Sequence, residues 1–187
     1  MPHLTLTFLG AFQAHLDGAP LTNFHSVKVQ ALLAYLVVEA DRPHTRETLM
    51  ALLWPDDAPQ SAQQSLRQAL YALRRMLGDT DNSAREPFLL VTRQTIQVNP
   101  HSQMTLDVTT FLQQVQQGNL AHAIAFYPDA FLVGMTTDSA SFEEWLRATR
   151  EYLHNLALNA LDQLTQQRLA ASDYAEAITY ARRQLTL

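Results

Sequence analysis

The residues that decide the fold run from Ser61 to Leu77 and read SAQQSLRQALYALRRML, followed by Gly78. Apolar side chains recur every three or four positions, which predicts an amphipathic helix that ends at the glycine. We predict a capping box from Ser61 to Gln64 at its start. The buried side of this helix is expected to consist of Leu66, Ala69, Leu70, Leu73 and Leu77.

The opposite face of this helix carries three arginines and no acid, whereas a solvated helix normally mixes both signs. Arginine neutralises phosphate and bridges the guanine edge, and glutamine pairs with adenine, so this face suits duplex DNA. The alternative is an ordinary solvated face. The predicted reading face consists of Gln64, Arg67, Gln68, Tyr71, Arg74 and Arg75. Tyr71 is a secondary candidate, which either touches the sugar-phosphate backbone or leans back onto the domain.

A hairpin is predicted shortly after this helix, at residues 89–98. Leu89 and Val91 alternate with polar positions and match Ile96 and Val98 by period, and Asn99-Pro100 ends the second strand. Arg93 then lies at the tip, where an arginine suits the narrow and negative minor groove.

The residues before this helix complete an α+β unit. Alternating apolar residues from Leu4 to Leu16, with a turn at Asp17-Gly18, predict a small antiparallel sheet. One helix is predicted from about Ser26 to Glu39 and a short one from Thr45 to the Trp54-Pro55 break. Three helices and a terminal hairpin predict a winged helix-turn-helix over residues 1–104, whose third helix enters the major groove.

Three further side chains in this unit are candidate phosphate contacts. Lys28 and Arg46 fall in the first turns of the first two helices, and helix N-termini bind phosphate. Thr45 can donate its hydroxyl to phosphate, although a role as N-cap of the second helix is better supported. Solvated surface is the competing interpretation for both basic residues. Trp54 is expected to be a packing anchor.

Residues 105–187 are predicted to be entirely helical. The segment Gly118 to Phe126 recurs as Ser172 to Tyr180, 54 residues later, which is typical of helical-repeat proteins. A long helix is predicted from Ser141 to Ala170, again with a capping box from Ser141 to Glu144. The repeat array reaches Leu187 without a polar capping helix, which leaves either further repeats or another surface, such as a second copy, to cover this end.

Composition excludes several classes of protein. The 187 residues contain no cysteine, so neither a disulfide framework nor a thiolate metal site is expected. No arrangement typical of a catalytic site, a metal site or a phosphate loop is present, and we expect neither an enzyme nor a cofactor. The N-terminus lacks the pattern of a signal peptide and no apolar run is long enough to span a bilayer, so we expect a cytoplasmic protein without membrane contact.

Net charge is the main evidence against DNA binding, because −5 overall repels a polyanion. Residues 1 to 100 hold eight basic and nine acidic residues, a net of −1, whereas the remainder holds five and nine, a net of −4. Any nucleic-acid surface is therefore expected in the first half.

The order of motifs resembles the SARP type of bacterial transcriptional activator. Residues 28–36, 45–49, 52–56 and 70–78 are similar to an OmpR-type winged helix, and residues 142–146 and 173–178 are similar to the tetratricopeptide-like bacterial transcriptional activator domain. The resemblance implies transcriptional activation at promoter sites, with the turn from Trp54 to Gln60 able to touch RNA polymerase. The family's wing usually carries glycine and tyrosine after its arginine, whereas this chain has Arg93-Gln94-Thr95-Ile96.

The fold predicted is therefore an α+β winged helix-turn-helix (1–104) followed by an all-α tetratricopeptide-like domain (105–187). The predicted function is a sequence-specific DNA-binding regulator of transcription. The alternative is a protein-interaction scaffold that uses the winged helix and the repeats without binding DNA, which the acidic net charge favours.

Overall fold

The computed structural model describes residues 2–80 and 86–187. Short strands and three helices occupy the chain up to Leu106, and four helices follow, which confirms the predicted fold class. The strands are β1 (Leu4–Thr7), β2 (Gln13–Leu16), β3 (Ala19–Pro20), β4 (His44–Thr45), β5 (Leu89–Val91), β6 (Thr95–Val98) and β7 (Met104–Leu106). The helices are α1 (Val27–Val38), α2 (Arg46–Leu53), α3 (Pro59–Leu77), α4 (Asp107–Gln116), α5 (Leu120–Ala125), α6 (Ala140–Ala170) and α7 (Tyr174–Thr186).

The chain forms two compact units, neither of which is continuous in sequence. The first unit comprises Met1–Leu6, Gln13–Leu106 and Met135–Leu146, and the second comprises Thr7–Phe12, Asp107–Gly134 and Arg147–Leu187. The segment Met135–Leu146 thus belongs to the unit of the winged helix although it lies in the helical half of the sequence. The division into domains 1–104 and 105–187 stays a prediction.

Two small sheets lie in the first unit. The sheet predicted at the N-terminus has the order β3-β2-β1-β7, and its turn at Asp17 and Gly18 has the positive φ angles, 52° and 80°, that such a tight connection needs. Its fourth strand, β7, pairs with β1 in parallel, so the sheet is mixed and not antiparallel throughout as predicted. The second sheet has the order β4-β6-β5.

Helices α2 and α3 pack against α1, which is buried on nearly all sides and contributes Leu32, Leu33 and Leu36 to the core. Helix α2 begins where predicted, because the Thr45 side chain accepts the Thr48 N–H and caps it. Helix α3 also ends where predicted, at Gly78 with φ of 73°.

The predicted start of α3 is wrong. The helix begins at Pro59, with Ala58 as an N-cap that makes no side-chain hydrogen bond, so Ser61 lies inside the helix and forms no capping box. Proline starts the helix earlier because its fixed φ suits the first turn, where a backbone N–H would have no partner within the helix.

In the second unit, the repeat predicted from sequence corresponds to two helix starts, since α5 begins at Leu120 and α7 at Tyr174. Ala123 and Ala177 are both buried, as equivalent positions in a repeat should be. Ile124 is buried but its counterpart Ile178 is 52% exposed, so α7 leaves to solvent an apolar position whose equivalent on α5 is buried.

Helix α6 begins one residue earlier than predicted, at Ala140. Its first turn is capped by Ser139, whose hydroxyl accepts the Phe142 N–H at 3.4 Å, and not by Ser141. The second predicted capping box is therefore also wrong. In the part of the chain that the structure describes, no helix is both long and apolar enough to cross a membrane.

A carboxylate organises the polypeptide backbone in the second unit. Both oxygens of Asp107 accept the N–H of Phe8 at 2.9 Å, and one of them also accepts the N–H of Leu9 at 2.8 Å. Burial raises the pKa of Asp107, although these N–H donors act in the opposite direction. This side chain thus satisfies donors that lie 98 and 99 residues away in sequence.

Candidate nucleic-acid interface

Helix α3 presents the predicted reading face to solvent. Its buried side includes Leu66, Leu70 and Leu73, and the apolar positions named from the sequence are all buried. The side chains of Gln64, Arg67, Gln68, Tyr71 and Arg75 are exposed. Tyr71 is 62% exposed, so it does not lean back onto the domain.

An open groove of about 690 Å³ runs along one side of this face, within the first unit. Basic residues line it from two helices, because Lys28 comes from α1 and Arg67 and Arg75 come from α3. We call this surface the basic groove; its further lining includes Gln68, Tyr71 and Trp54. A shallower depression beside it is lined by Gln64, Arg67 and Gln68 among others. The groove therefore combines cations, an amide and aromatic rings, which are the groups that bind phosphate, base edges and sugars.

Arg74 differs from the other residues of the predicted reading face. Its Nη2 donates to the Asp79 carbonyl at 2.7 Å, and its Nε is buried without a partner in the described part of the chain. At about 100° per residue, Arg74 lies only about 40° around the helix from the buried Leu70. Its guanidinium is therefore held at the C-terminal end of α3, and Arg74 does not line the basic groove.

Lys28 already has two protein partners. Its Nζ lies 2.8 Å from Oδ1 of Asp138 and 5.6 Å from the centre of the Trp54 ring. The hydrogen bond from Lys28 holds the pKa of Asp138 below its usual value. Trp54 is only 8% exposed, which confirms its predicted role as a packing anchor. A phosphate at Lys28 would have to compete with Asp138.

The two candidates at the start of α2 also have local partners. The Thr45 hydroxyl accepts the Thr48 N–H at 3.1 Å, so Thr45 is the N-cap. Arg46 donates from Nη2 to the Thr92 carbonyl at 2.9 Å and from its backbone N–H to the Gln94 carbonyl at 3.0 Å. Arg46 thus contacts the turn between β5 and β6.

The wing has the predicted register, with Leu89 opposite Val98 and Val91 opposite Ile96. Arg93 lies at its tip, is exposed, and makes no hydrogen bond or ion pair with any residue in 2–80 or 86–187. It does not line the basic groove. The structure therefore gathers five of the predicted residues on one surface, namely Lys28, Arg67, Gln68, Tyr71 and Arg75. Arg46, at the start of α2, lies instead against the wing turn that carries Arg93.

Sequence reasoning missed three residues that shape this unit. The Asp79 carboxylate accepts the N–H groups of Phe88 and Leu89 at the start of β5. The Ser139 hydroxyl donates to the Leu52 carbonyl at 2.6 Å, and Asp138 pairs with Lys28. Asp79 had a local signal, since it follows the glycine at the end of α3. Ser139 and Asp138 had none, because their partners lie 87 or more residues away.

Three comparisons with known proteins agree with this geometry. A family model described as "Transcriptional regulatory protein, C terminal" matches residues 25–95. The transcriptional regulatory protein EmbR from Mycobacterium bovis and from Mycobacterium tuberculosis H37Rv is 33% identical over 75 residues, which is 40% of this chain and 19% of each relative. A structure of Mycobacterium tuberculosis EmbR in complex with a low affinity phosphopeptide is similar with a TM-score of 0.61 and 21% identity, over 98% of this chain and 52% of that chain. At that identity the structural match shows a shared fold, and this chain spans about half the length of the solved protein.

A buried three-helix core, an exposed third helix and a following hairpin define a winged helix-turn-helix protein. Residues 25–95 match the C-terminal domain of transcriptional regulatory proteins and helices follow them, so the chain is similar to the EmbR regulators over part of its length and shares the fold of EmbR.

Proposed function

We propose that this chain is a sequence-specific DNA-binding regulator that reads the major groove with α3. The observation that carries the proposal is the basic groove, where Arg67 and Arg75 are exposed and their guanidinium groups make no hydrogen bond or ion pair with any residue in the described ranges. Unpaired guanidinium groups on one face of an exposed helix are available for phosphate or for guanine. The proposal assigns the chain no catalytic activity and places it with the DNA, in the bacterial cytoplasm.

Titration of the whole chain with duplex DNA at several salt concentrations tests this function. Each phosphate neutralised releases counterions, so the logarithm of the association constant should fall linearly with the logarithm of salt, with a slope of about −0.9 per phosphate contact. An absence of binding at low salt would instead support the scaffold function, which the net charge of −5 favours.

We further propose that Arg93 enters the minor groove beside the site of α3. Its exposed position at the hairpin tip, without a protein partner among the described residues, supports this role. Arg93→Ala should weaken binding to duplexes with A·T-rich flanks more than to duplexes with G·C-rich flanks. The measurement is the ratio of the two affinities for the parent and the variant. An equal loss on both flanks would reduce Arg93 to a phosphate contact.

We propose an activating role, with residues Trp54 to Gln60, which form the turn after α2 and the first two residues of α3, as the contact for RNA polymerase. The buried Trp54 fixes the start of this turn, while Asp56 and Asp57 are exposed. Transcription in vitro from a promoter that carries the bound site, with Asp56 and Asp57 changed to asparagine, measures this contact separately from DNA affinity. Unchanged activation would remove the turn from the proposal.

The second unit is proposed to supply an association surface and no DNA contact. On α7, Ile178 is 52% exposed, Tyr174 63% and Leu185 89%, which is apolar surface available to a partner, and the basic groove lies in the first unit. A second copy of the chain, or further helical repeats, would cover this face. If a second copy does so, sedimentation should show a dimer that Ile178→Glu converts to a monomer, whereas Arg182→Glu on the same helix should not. A parent chain that stays monomeric on one site and on paired sites would refute self-association.

A further inference from the structure

The turn of the wing is closed in an unusual way. Val91 pairs with Ile96, so Thr92 lies opposite Thr95 and only Arg93 and Gln94 connect the strands. Two-residue hairpin connections favour turn types that need positive φ, which glycine and asparagine supply. This turn has no glycine, and none of its residues has positive φ.

The side-chain hydroxyl of Thr92 replaces the Thr92 carbonyl as a hydrogen-bond acceptor in this turn. The Thr92 N–H donates to the Thr95 carbonyl at 2.8 Å, as in an ordinary hairpin. The Thr95 N–H, however, donates to Oγ1 of Thr92 at 2.8 Å, and the Gln94 N–H donates to the same oxygen at 3.1 Å. Because the Thr95 N–H donates to the Thr92 side chain, the Thr92 carbonyl can accept a hydrogen bond from another donor.

Arg46 supplies that donor. Its Nη2 reaches the Thr92 carbonyl at 2.9 Å, and its backbone N–H binds the Gln94 carbonyl at 3.0 Å. Two carbonyls on either side of Arg93 are thus fixed by one residue at the start of α2. The Arg93 side chain remains free to contact a ligand.

We propose that Arg46 is a positioning residue for the wing tip, and not the phosphate contact predicted from its place in the sequence. Together with Thr92 it holds the backbone of Arg93 in one conformation and thereby sets the preference for A·T-rich flanks. This inference rests on the proposed function, because the preference presupposes binding of DNA. Holding the backbone reduces the conformational entropy that Arg93 loses when it enters a groove.

The first part of the test uses the free protein. Arg46→Ala and Thr92→Val should each raise the hydrogen-exchange rates of the Gln94 and Thr95 amides by about tenfold, because each removes a bond that closes the turn. Thr92→Ser keeps the hydroxyl and should leave the rates near those of the parent. Arg42→Ala removes the same charge from an exposed arginine that contacts Glu39, and serves as the matched control. Unchanged exchange in Arg46→Ala would overturn the proposal.

The second part measures affinity for duplexes with A·T-rich and with G·C-rich flanks. Arg46→Ala and Thr92→Val should both lower the ratio of affinities to that of Arg93→Ala, and neither should lower it further when combined with Arg93→Ala. Thr92→Val changes no charge, so its effect cannot come from a lost phosphate contact. An equal loss on both flanks in Arg46→Ala, with a salt slope smaller by about one and no effect of Thr92→Val, would make Arg46 a phosphate contact and overturn the proposal. If the parent shows no flank preference, the minor-groove part of the proposed function fails, and the exchange rates alone decide whether Arg46 positions the turn.

Discussion

Replacing Asp79 with alanine is expected to lower the free energy of unfolding by about 2–4 kcal/mol, since at least two buried donors lose their acceptor. Asp79 is only 6% exposed. Its Oδ1 accepts the Phe88 N–H at 3.0 Å and its Oδ2 accepts the Leu89 N–H at 2.9 Å. Because Phe88 and Leu89 are themselves buried, water cannot easily replace the carboxylate.

Urea denaturation of the parent and the variant measures this loss. Asp79→Asn should fall between them, because an amide offers one acceptor oxygen where the carboxylate offers two. Asp57→Ala is the control, since Asp57 is exposed and its removal should change stability by less than about 0.5 kcal/mol. If Asp79→Ala and Asp57→Ala lowered stability equally, Asp79 would not anchor the start of the wing.

The second large effect is expected from the basic groove. Arg67→Ala and Arg75→Ala should each weaken binding to the preferred duplex by roughly 1–3 kcal/mol if a base contact is lost, and by less for a phosphate contact. The double variant should approach the affinity of the parent for an unrelated duplex. Both side chains are exposed, so neither substitution should change the stability of the fold.

Two other arginines serve as controls for this experiment. Arg182→Ala removes an exposed charge from α7 in the second unit and should leave DNA affinity unchanged. Arg74→Ala should act chiefly on stability, because the Arg74 guanidinium binds the Asp79 carbonyl at the end of α3. Equal affinities of the parent and the Arg67, Arg75 double variant would exclude α3 as the reading helix.

Much of the first unit was predictable because its signals are local. The cap at Thr45, the glycine at position 78 and the alternating residues of the wing each act within a few positions of the backbone they control. Even here one local rule competed with another, since Pro59 starts α3 before Ser61 can cap it. The two-residue strand β4 and the three-residue strand β7 are too short to show any periodicity.

The candidate site was predictable only in part, because a helical wheel gives the face of a residue and not its partners. Arg74 lies at the edge of the polar face, and its guanidinium points to the Asp79 carbonyl because it donates a hydrogen bond to it. Lys28 is held by Asp138, which is 110 residues away in sequence and belongs to a segment that joins the winged-helix unit. Contacts at such separations depend on the tertiary fold, and neither periodicity nor spacing predicts them.

Selection from a pool of random-sequence duplexes with the whole chain tests most directly whether α3 reads DNA sequence. The parent should enrich a defined site, and the Arg67→Ala, Arg75→Ala double variant should enrich it weakly or not at all, while Arg182→Ala should enrich the same site as the parent. Specific sites are typically bound about 10³-fold or more tightly than other duplexes, so enrichment should be evident within a few rounds. A parent chain that enriches no site, or a double variant that enriches the same site equally well, would contradict the proposal that α3 reads DNA.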